Sequence, residues 1–467
     1  MRIFYFLFII LLSTTQYSFA QKQTLLKGMV TEIEVVSDSL NLAYSIYLPP
    51  NYTKVTASKA LFVLDPNGDG MRAARLFVSA IAGEEYVVVS NNFKLSKNLD
   101  SLDTNAQQAV TMMRDVFAKV ALESGQVYIT GLGSGAKTAS ALSYVLKNTA
   151  GILVIDDIYF AEQYIEQASG NAVIGVVGDS SPSYYQMANH FNMMKSLNNY
   201  NELYTYSVTG AWPSANFLGI LINRLNHFQT DRFNLQVADS IWQRNYNSDL
   251  EALDKLVLKG EYLTAYDLSQ DLKSDYRGNV SLDKLKDFYK DLRRTDAYKT
   301  AKRANRSGNL QELLLLEDIQ YFLDEDITLA NFENLGYWDS RISNFKNSAD
   351  NATMANEQKV AHRMLGYISY TIEDFLTLNK VGLIPQRIFG NVLATMLDAR
   401  DYQAYLNIIS LSAQDDDDNT AYFYLEELLK QGYTDYESLY AIPETTTLKI
   451  KPTYNQIIAN YLGKSKF

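Results

Sequence analysis

The sequence of 467 residues contains no cysteine. That excludes disulfides, thiolate nucleophiles, thiol-held metals and a cysteine-anchored lipid. Histidine is almost as scarce, with His190, His227 and His362 the only three. Any reaction needing an imidazole base must use one of these. Beyond residue 20 no run is apolar for long enough to span a bilayer. Positive charge is also short. Lys and Arg total 42 against 53 Asp and Glu, a formal net charge of −11. So acidic a chain suits neither nucleic acid nor an anionic membrane surface, and neither is expected as a partner.

What is present starts with an export signal. Met1 to Ala20 carries one basic residue, Arg2, then an apolar run from Ile3 to Leu12 and a small-x-small exit at Ser18-Phe19-Ala20. The spacing predicts a cleavable secretory signal over 1–20 and an exported, periplasmic or secreted product. Its removal moves the net charge only from −11 to −12, since Arg2 is the one charge it holds.

The chain is organised around Val127-Tyr-Ile-Thr-Gly-Leu-Gly-Ser-Gly-Ala-Lys-Thr138, which reads as strand, tight glycine turn and helix. Three chemistries use that shape. Gly131 to Ala136 fits a dinucleotide turn, G-x-G-x-x-A, with Asp156 ending the next strand as a ribose-binding acid would. Gly131 to Thr138 approximates a phosphate-binding loop, with Ala136 where a glycine belongs. Registered on Gly131 and Gly135, the stretch is also a G-x-S-x-G elbow in which Gly133 occupies the serine position. Export argues against the first two, because nucleotide pools are cytoplasmic, and no cofactor is expected.

The flanks support the elbow. Val30 to Val36 and Leu40 to Leu48 form a hairpin across Ser37 to Ser39. Ala60–Leu64, Tyr86–Ser90, Ile152–Ile155, Ala172–Val177 and Leu203–Val208 read as strands separated by helices near 71–81, 106–120, 138–146, 184–197 and 216–228. This predicts an α/β fold with a doubly wound, mostly parallel sheet over 21–230.

Residues 40–228 resemble exported bacterial α/β-hydrolases of the esterase type. The pieces that carry the resemblance are Tyr47-Leu-Pro-Pro-Asn-Tyr52, Leu61-Phe-Val-Leu-Asp-Pro66 with its glycine loop, Ile129-Thr-Gly131, Gly178-Asp179 leading to Tyr184-Tyr185, and Trp212-Pro213. The resemblance implies serine, acid and histidine in that chain order. Carried onto this chain, the serine falls on Gly133, the acid on Ser181 with Asp179 nearby, and the histidine on Gly210 or Ala211. The triad therefore reads as degenerate and no catalytic residue is expected. What the resemblance would leave is an anion cradle from the Ser134 N–H and the Asn67–Gly70 loop, with Asn67 and Gly68 as its ligand-binding residues, fit for an acyl, ester or carboxylate ligand. The alternative is a serine esterase using Ser134, with Lys137 one helical turn on as its base.

Residues 231–467 lose strand signals and read as all-helical. Leu250–Leu258, Gly260 and Tyr262–Leu272 resemble a tetratricopeptide helix pair, and Asp401 to Ala404 and Ala421 to Gly432 echo it at irregular spacing. An irregular bundle accounts for the same pattern. Such helix pairs present a concave face to protein or peptide, and the chain's 34 tyrosines suit a contact surface. Asp415, Asp417, Asn419 and Glu426 follow calcium-loop spacing, but Thr420 stands where the loop needs glycine, so a solvated acidic loop is expected and no metal.

Overall fold

The computed structural model describes residues 25–35, 42–81, 83–98, 101–146, 149–159, 172–196, 200–353 and 355–467. The expected signal over 1–20 and the turn at Ser37–Ser39 lie outside the described residues.

Eight strands make one sheet: β1 Val30–Val35, β2 Leu42–Tyr47, β3 Ser58–Leu64, β4 Tyr86–Asn91, β5 Leu122–Leu132, β6 Thr149–Ile155, β7 Ala172–Gly178 and β8 Asn201–Tyr206. Their spatial order is β1-β2-β4-β3-β5-β6-β7-β8. β1 and β2 pair antiparallel, β2 joins β4 antiparallel, and every later pairing is parallel. The chain explains the difference. Every residue of β6 and β7 is buried, as strands covered on both faces must be. β1 alternates buried and exposed positions over its second half, as an edge strand with one wet face does.

The helices of this half are α1 Gly70–Ala80, α2 Leu102–Lys119, α3 Ser134–Val145, α4 Tyr184–Ser196 and α5 Ala215–Phe233. α2, α3 and α4 cover one face, with Met112, Val116, Ala139, Leu142 and Phe191 in its core. α1 and α5 cover the other, through Phe77, Leu218, Leu221 and Leu225.

The rest is helical: α6 Asp239–Leu258, α7 Tyr262–Asp275, α8 Asp283–Arg294, α9 Asp296–Leu329, α10 Leu335–Asn351, α11 Ala355–Leu378, α12 Ile384–Leu397, α13 Tyr402–Gln414, α14 Asp418–Lys430, α15 Tyr436–Ala441, α16 Thr446–Lys449 and α17 Pro452–Leu462. Their lengths run from 34 residues down to 4. α6 and α7 lie where the helix pair is expected, α6 beginning eleven residues earlier than Leu250, and the chain turns between them at Gly260 with φ +86. Asp401 caps α13 through the Ala404 N–H. The acidic loop feeds a helix: Asp417 caps α14 by accepting from the Thr420 N–H, and Asp418 pairs with Lys451.

One of the core clusters spans both halves. The α5 face continues without a break through Trp242 and Tyr246 of α6, Leu268 and Leu272 of α7, and Tyr276. Arg224 of α5 is buried and ion-paired to Asp271 at 3.1 Å and Asp275 at 2.7 Å. α7 also covers the open edge of β8. The Thr264 hydroxyl donates to the Thr205 carbonyl at 2.5 Å, and Glu261 accepts from the Ser207 N–H at 3.1 Å. Satisfying an edge strand in this way protects it from pairing with another chain.

Candidate functional site at the carboxyl edge of the sheet

The parallel strands end together, and the loops beyond them form the place where open α/β sheets hold ligands. β5 ends at Leu132 and α3 starts at Ser134, so the whole bend is one residue, Gly133. Gly133 has φ +53 and ψ −119, a conformation that side-chain-bearing residues rarely adopt. Its flanking glycines are compelled for another reason. A Cβ on Gly131 would stand 2.1 Å from the Gly135 carbonyl oxygen, and one on Gly135 would stand 2.0 Å from that of Leu64. Around Gly133 itself a Cβ would meet nothing within 4 Å. The bend therefore has the shape of a nucleophile elbow with a bare apex.

Ser134, the next residue, is buried, and its hydroxyl donates to the Leu95 carbonyl at 3.1 Å. Lys137 reaches Asp157 at 3.5 Å. Burial pushes the Asp157 carboxyl up to about 6, with Lys137 pulling the other way. Among the described residues no hydrogen bond joins Ser134 to Lys137; each side chain is turned to a different partner.

Two buried carboxylates tie the edge together. Asp65, at the end of β3, accepts at Oδ1 from the Asn67 N–H at 2.9 Å and the Asp69 N–H at 3.1 Å. Its Oδ2 accepts from the Trp212 indole at 2.8 Å. The Gly68 N–H turns to the Asp65 carbonyl at 3.3 Å. The amides of Asn67 and Gly68, expected to face a ligand, are thus occupied by Asp65, and the exposed Asn67 side chain is what the loop can offer. Asp156, at the end of β6, has φ +57 and accepts from the Gly178 and Gly210 N–H groups, both at 2.6 Å. It also bonds the Ser181 hydroxyl, and burial raises its carboxyl above the usual range while these three bonds pull it back. The Gly133 N–H donates to the carbonyl of Ile155, immediately before it, at 2.9 Å.

Ser181 and Gly210, where the resemblance would put acid and base, are therefore brought together through Asp156. Ser181 is fully buried. Gly210 has φ +68 and open space where a Cβ would go. The three imidazoles lie elsewhere. His227 is enclosed by Trp242 and Tyr276, with ring centroids at 4.8 and 4.6 Å, and burial pushes it down to about 3. His190 packs edge-on to Tyr370 and is pushed down by burial to about 4. His362 lies on α11 with no hydrogen bond to the bend among the described residues.

Sequence reasoning credited neither Asp65 nor Asp156 with this tying role. The available signal was an acid ending an apolar strand, Leu64-Asp65 and Ile155-Asp156, which the fold puts at the carboxyl edge. The contact that α11 makes with this edge has no such signal. Lys359 pairs with Asp179, the Arg363 Nη1 donates to the Asp179 carbonyl at 2.8 Å, and Arg363 also pairs with Glu312, which accepts from the Tyr185 hydroxyl. A Cβ on Gly366 would stand 2.1 Å from the Pro182 carbonyl oxygen. The helical half presses on the loop that holds Ser181.

The chain matches no family model and no curated protein. Solved structures similar to it include a thermostable esterase, at 10% identity and TM-score 0.36 over 43% of this chain and 62% of that one. Another is a ferulic acid esterase, at 12% identity and TM-score 0.35 over 43% of this chain and 98% of that one. A third comes from a study of two fungal esterases of Rhizomucor miehei, at 13% and TM-score 0.34 over 44% and 87%. The chain spans under two thirds of the first of these. At such scores the fold rests on the strand order and the bend described above. Among the described residues no helix is long and apolar enough to cross a membrane, and no group of three or more His, Asp or Glu could hold a metal ion.

Proposed function

We propose that this chain is an exported, non-catalytic protein of esterase-like build, whose sheet edge holds a ligand or a loop and whose helical half, tetratricopeptide-like in plan, makes contacts with protein or peptide. One observation carries the reading: the apex of the strand–helix bend is Gly133, and the position that a base would take, Gly210, is tied by its amide to Asp156. A serine esterase needs a hydroxyl at the apex and an imidazole beside it. Ser134 is a poor substitute, since its hydroxyl is given to Leu95 and Lys137 is held by Asp157. The acyl or carboxylate ligand expected of an anion cradle finds support only in the N–H of Ser134, a first-turn amide of α3.

The test is treatment of residues 21–467 with a fluorophosphonate serine probe and with short nitrophenyl esters. The expected result is no labelling and hydrolysis at the buffer rate. Labelling that Ser134→Ala abolishes would replace this proposal with a Ser134 esterase.

A further inference from the structure

The seam between the halves contains a groove of about 410 Å³, within the range of ligand sites. Its walls are the β8 edge with Tyr204 and Tyr206, the start of α7 with Glu261, Tyr262 and Asp267, and the Asp179–Arg363 contact. A second chamber of about 260 Å³ adjoins it, and Tyr206 and Glu261 line both. This second chamber is apolar, walled by Val208, Trp212, Pro213, Phe217 and Leu256, with Lys259 as its one cation.

The charges of the first chamber are unequal in availability. Its cations are committed: Lys359 to Asp179, and Arg363 to Glu312 and to the ring of Tyr184, 4.6 Å from its guanidinium. An anionic ligand would have to break those pairs. Two of its carboxylates have no such commitment. Neither Glu261 nor Asp267 has an ion-pair partner among the described residues. Glu261 accepts only neutral bonds, from the Ser207 N–H and hydroxyl. Asp267 is exposed on the groove wall, where Lys302 is the one cation acting on it and Asp271 adds like charge. Carboxylates so placed favour a cation, and tyrosine rings beside them add the attraction of a π face for the same charge.

We propose that the two chambers together bind a short peptide segment in which a lysine or arginine neighbours a large apolar side chain. The basic group enters the first chamber between the Glu261 and Asp267 carboxylates, and the apolar side chain enters the second against Trp212. The charge of the chain as a whole, −11, favours approach by such a partner. The inference rests on the non-catalytic reading only in taking the partner to be held, not cut.

The experiment is fluorescence anisotropy of residues 21–467 with a fluorescein-labelled octapeptide, Gly-Ser-Lys-Leu-Arg-Phe-Ser-Gly. Two counterparts accompany it, one with both basic residues changed to Glu and one with Leu and Phe changed to Ser. The parent peptide is expected to bind at least about tenfold more tightly than either counterpart, and to weaken as salt rises. The isosteric double variant Glu261→Gln/Asp267→Asn keeps the bond to Ser207, so its melting temperature should not move, while its affinity drops by about tenfold. No saturable binding below millimolar, equal binding of the acidic peptide, or unchanged affinity in a folded double variant overturns the proposal. Ester hydrolysis in the parallel probe assay, with peptide binding intact, would remove the non-catalytic reading and leave this one standing. Absence of both removes this one alone.

Discussion

In the sheet half, the bend is fixed by backbone lying against backbone and the loops around it by two carboxylates, Asp65 and Asp156; in the helical half, contacts are made by side chains reaching across. Gly135 lies against the Leu64 carbonyl, and a methyl group there has no room. Gly260, at the turn of α6 into α7, has open space where a Cβ would go and is needed only for φ +86. The seam between the halves mixes the two. Gly366 meets Pro182 backbone to backbone, while Arg363, Lys359 and Arg224 make charged bonds across it. The lesson is that the bend has almost no freedom to change residue type except at its apex. Of the three glycines there, Gly133 is the one with space for a side chain, and the chain carries none at it.

The sharpest way to break that contrast is Gly135→Ala. The added methyl would lie 2.0 Å from the Leu64 oxygen, on two central elements that cannot both move. The expected loss exceeds about 5 kcal/mol, so little folded protein should be recovered. The same change at Gly260 costs only the strain of a left-handed residue, about 1 kcal/mol. Urea unfolding of the two variants checks the ranking, and comparable midpoints would refute the close-packing account.

This contrast also explains which features could be read in advance. Buried parallel strands are apolar runs bounded by turn residues, and the runs at 60–64, 152–155 and 172–177 lie within observed strands. Gly131, Gly133 and Gly135 mark the bend because glycine spacing reflects backbone geometry directly. The ties between loops left no comparable trace. Asp156 bonds Gly178 and Gly210 across 22 and 54 residues, and Asp65 reaches Trp212 across 147, and local pattern cannot specify a partner so distant. β5 begins five residues before the expected Val127, because Leu122 to Gln126 mixes charged, glycine and polar residues that carry no strand pattern, yet pairing with β3 begins at Leu122. The grip of α11 on Asp179 and Pro182 depends on how the second half docks, which helical periodicity does not encode.

The seam offers a second test, through pH. Asp249 of α6 is fully buried and accepts from Asn223 of α5 at 2.8 Å and from the Tyr276 hydroxyl at 2.7 Å. Burial is the main reason its carboxyl is pushed up to about 7, with both bonds opposing. A carboxyl raised on folding favours the protonated native state. Its contribution is fully present below the unfolded value of 3.8 and is lost as pH rises through about 7. At about 1.4 kcal/mol per pH unit, the loss by pH 8 is on the order of 4 kcal/mol. Asp249→Asn keeps the shape and cannot ionise. Relative to the parent chain it should be near neutral at pH 4 and more stable at pH 8. His190 and His227, both pushed down by burial, favour the native state more as pH rises, but they are common to both proteins and cancel in the difference. Unfolding midpoints that run parallel from pH 4 to pH 8 would mean that Asp249 is not the titrating group.

The smallest expected effect comes from the apex. Gly133→Ser puts a hydroxyl into open space, so no contact has to move. The cost is backbone strain at φ +53, ψ −119, on the order of 1–3 kcal/mol, well short of the loss at Gly135. The variant should therefore fold, with a modestly lower urea midpoint. Its chemistry should remain at the level of the parent chain. A serine hydroxyl is a weak nucleophile without a base to take its proton, and Gly210 supplies none. Nitrophenyl ester hydrolysis should thus stay at background, and fluorophosphonate labelling should rise no more than a few fold. Strong labelling by Gly133→Ser alone would mean that a group already at the edge, Asp156 or a water it holds, accepts the proton, and the sheet half would then be one side chain short of an enzyme.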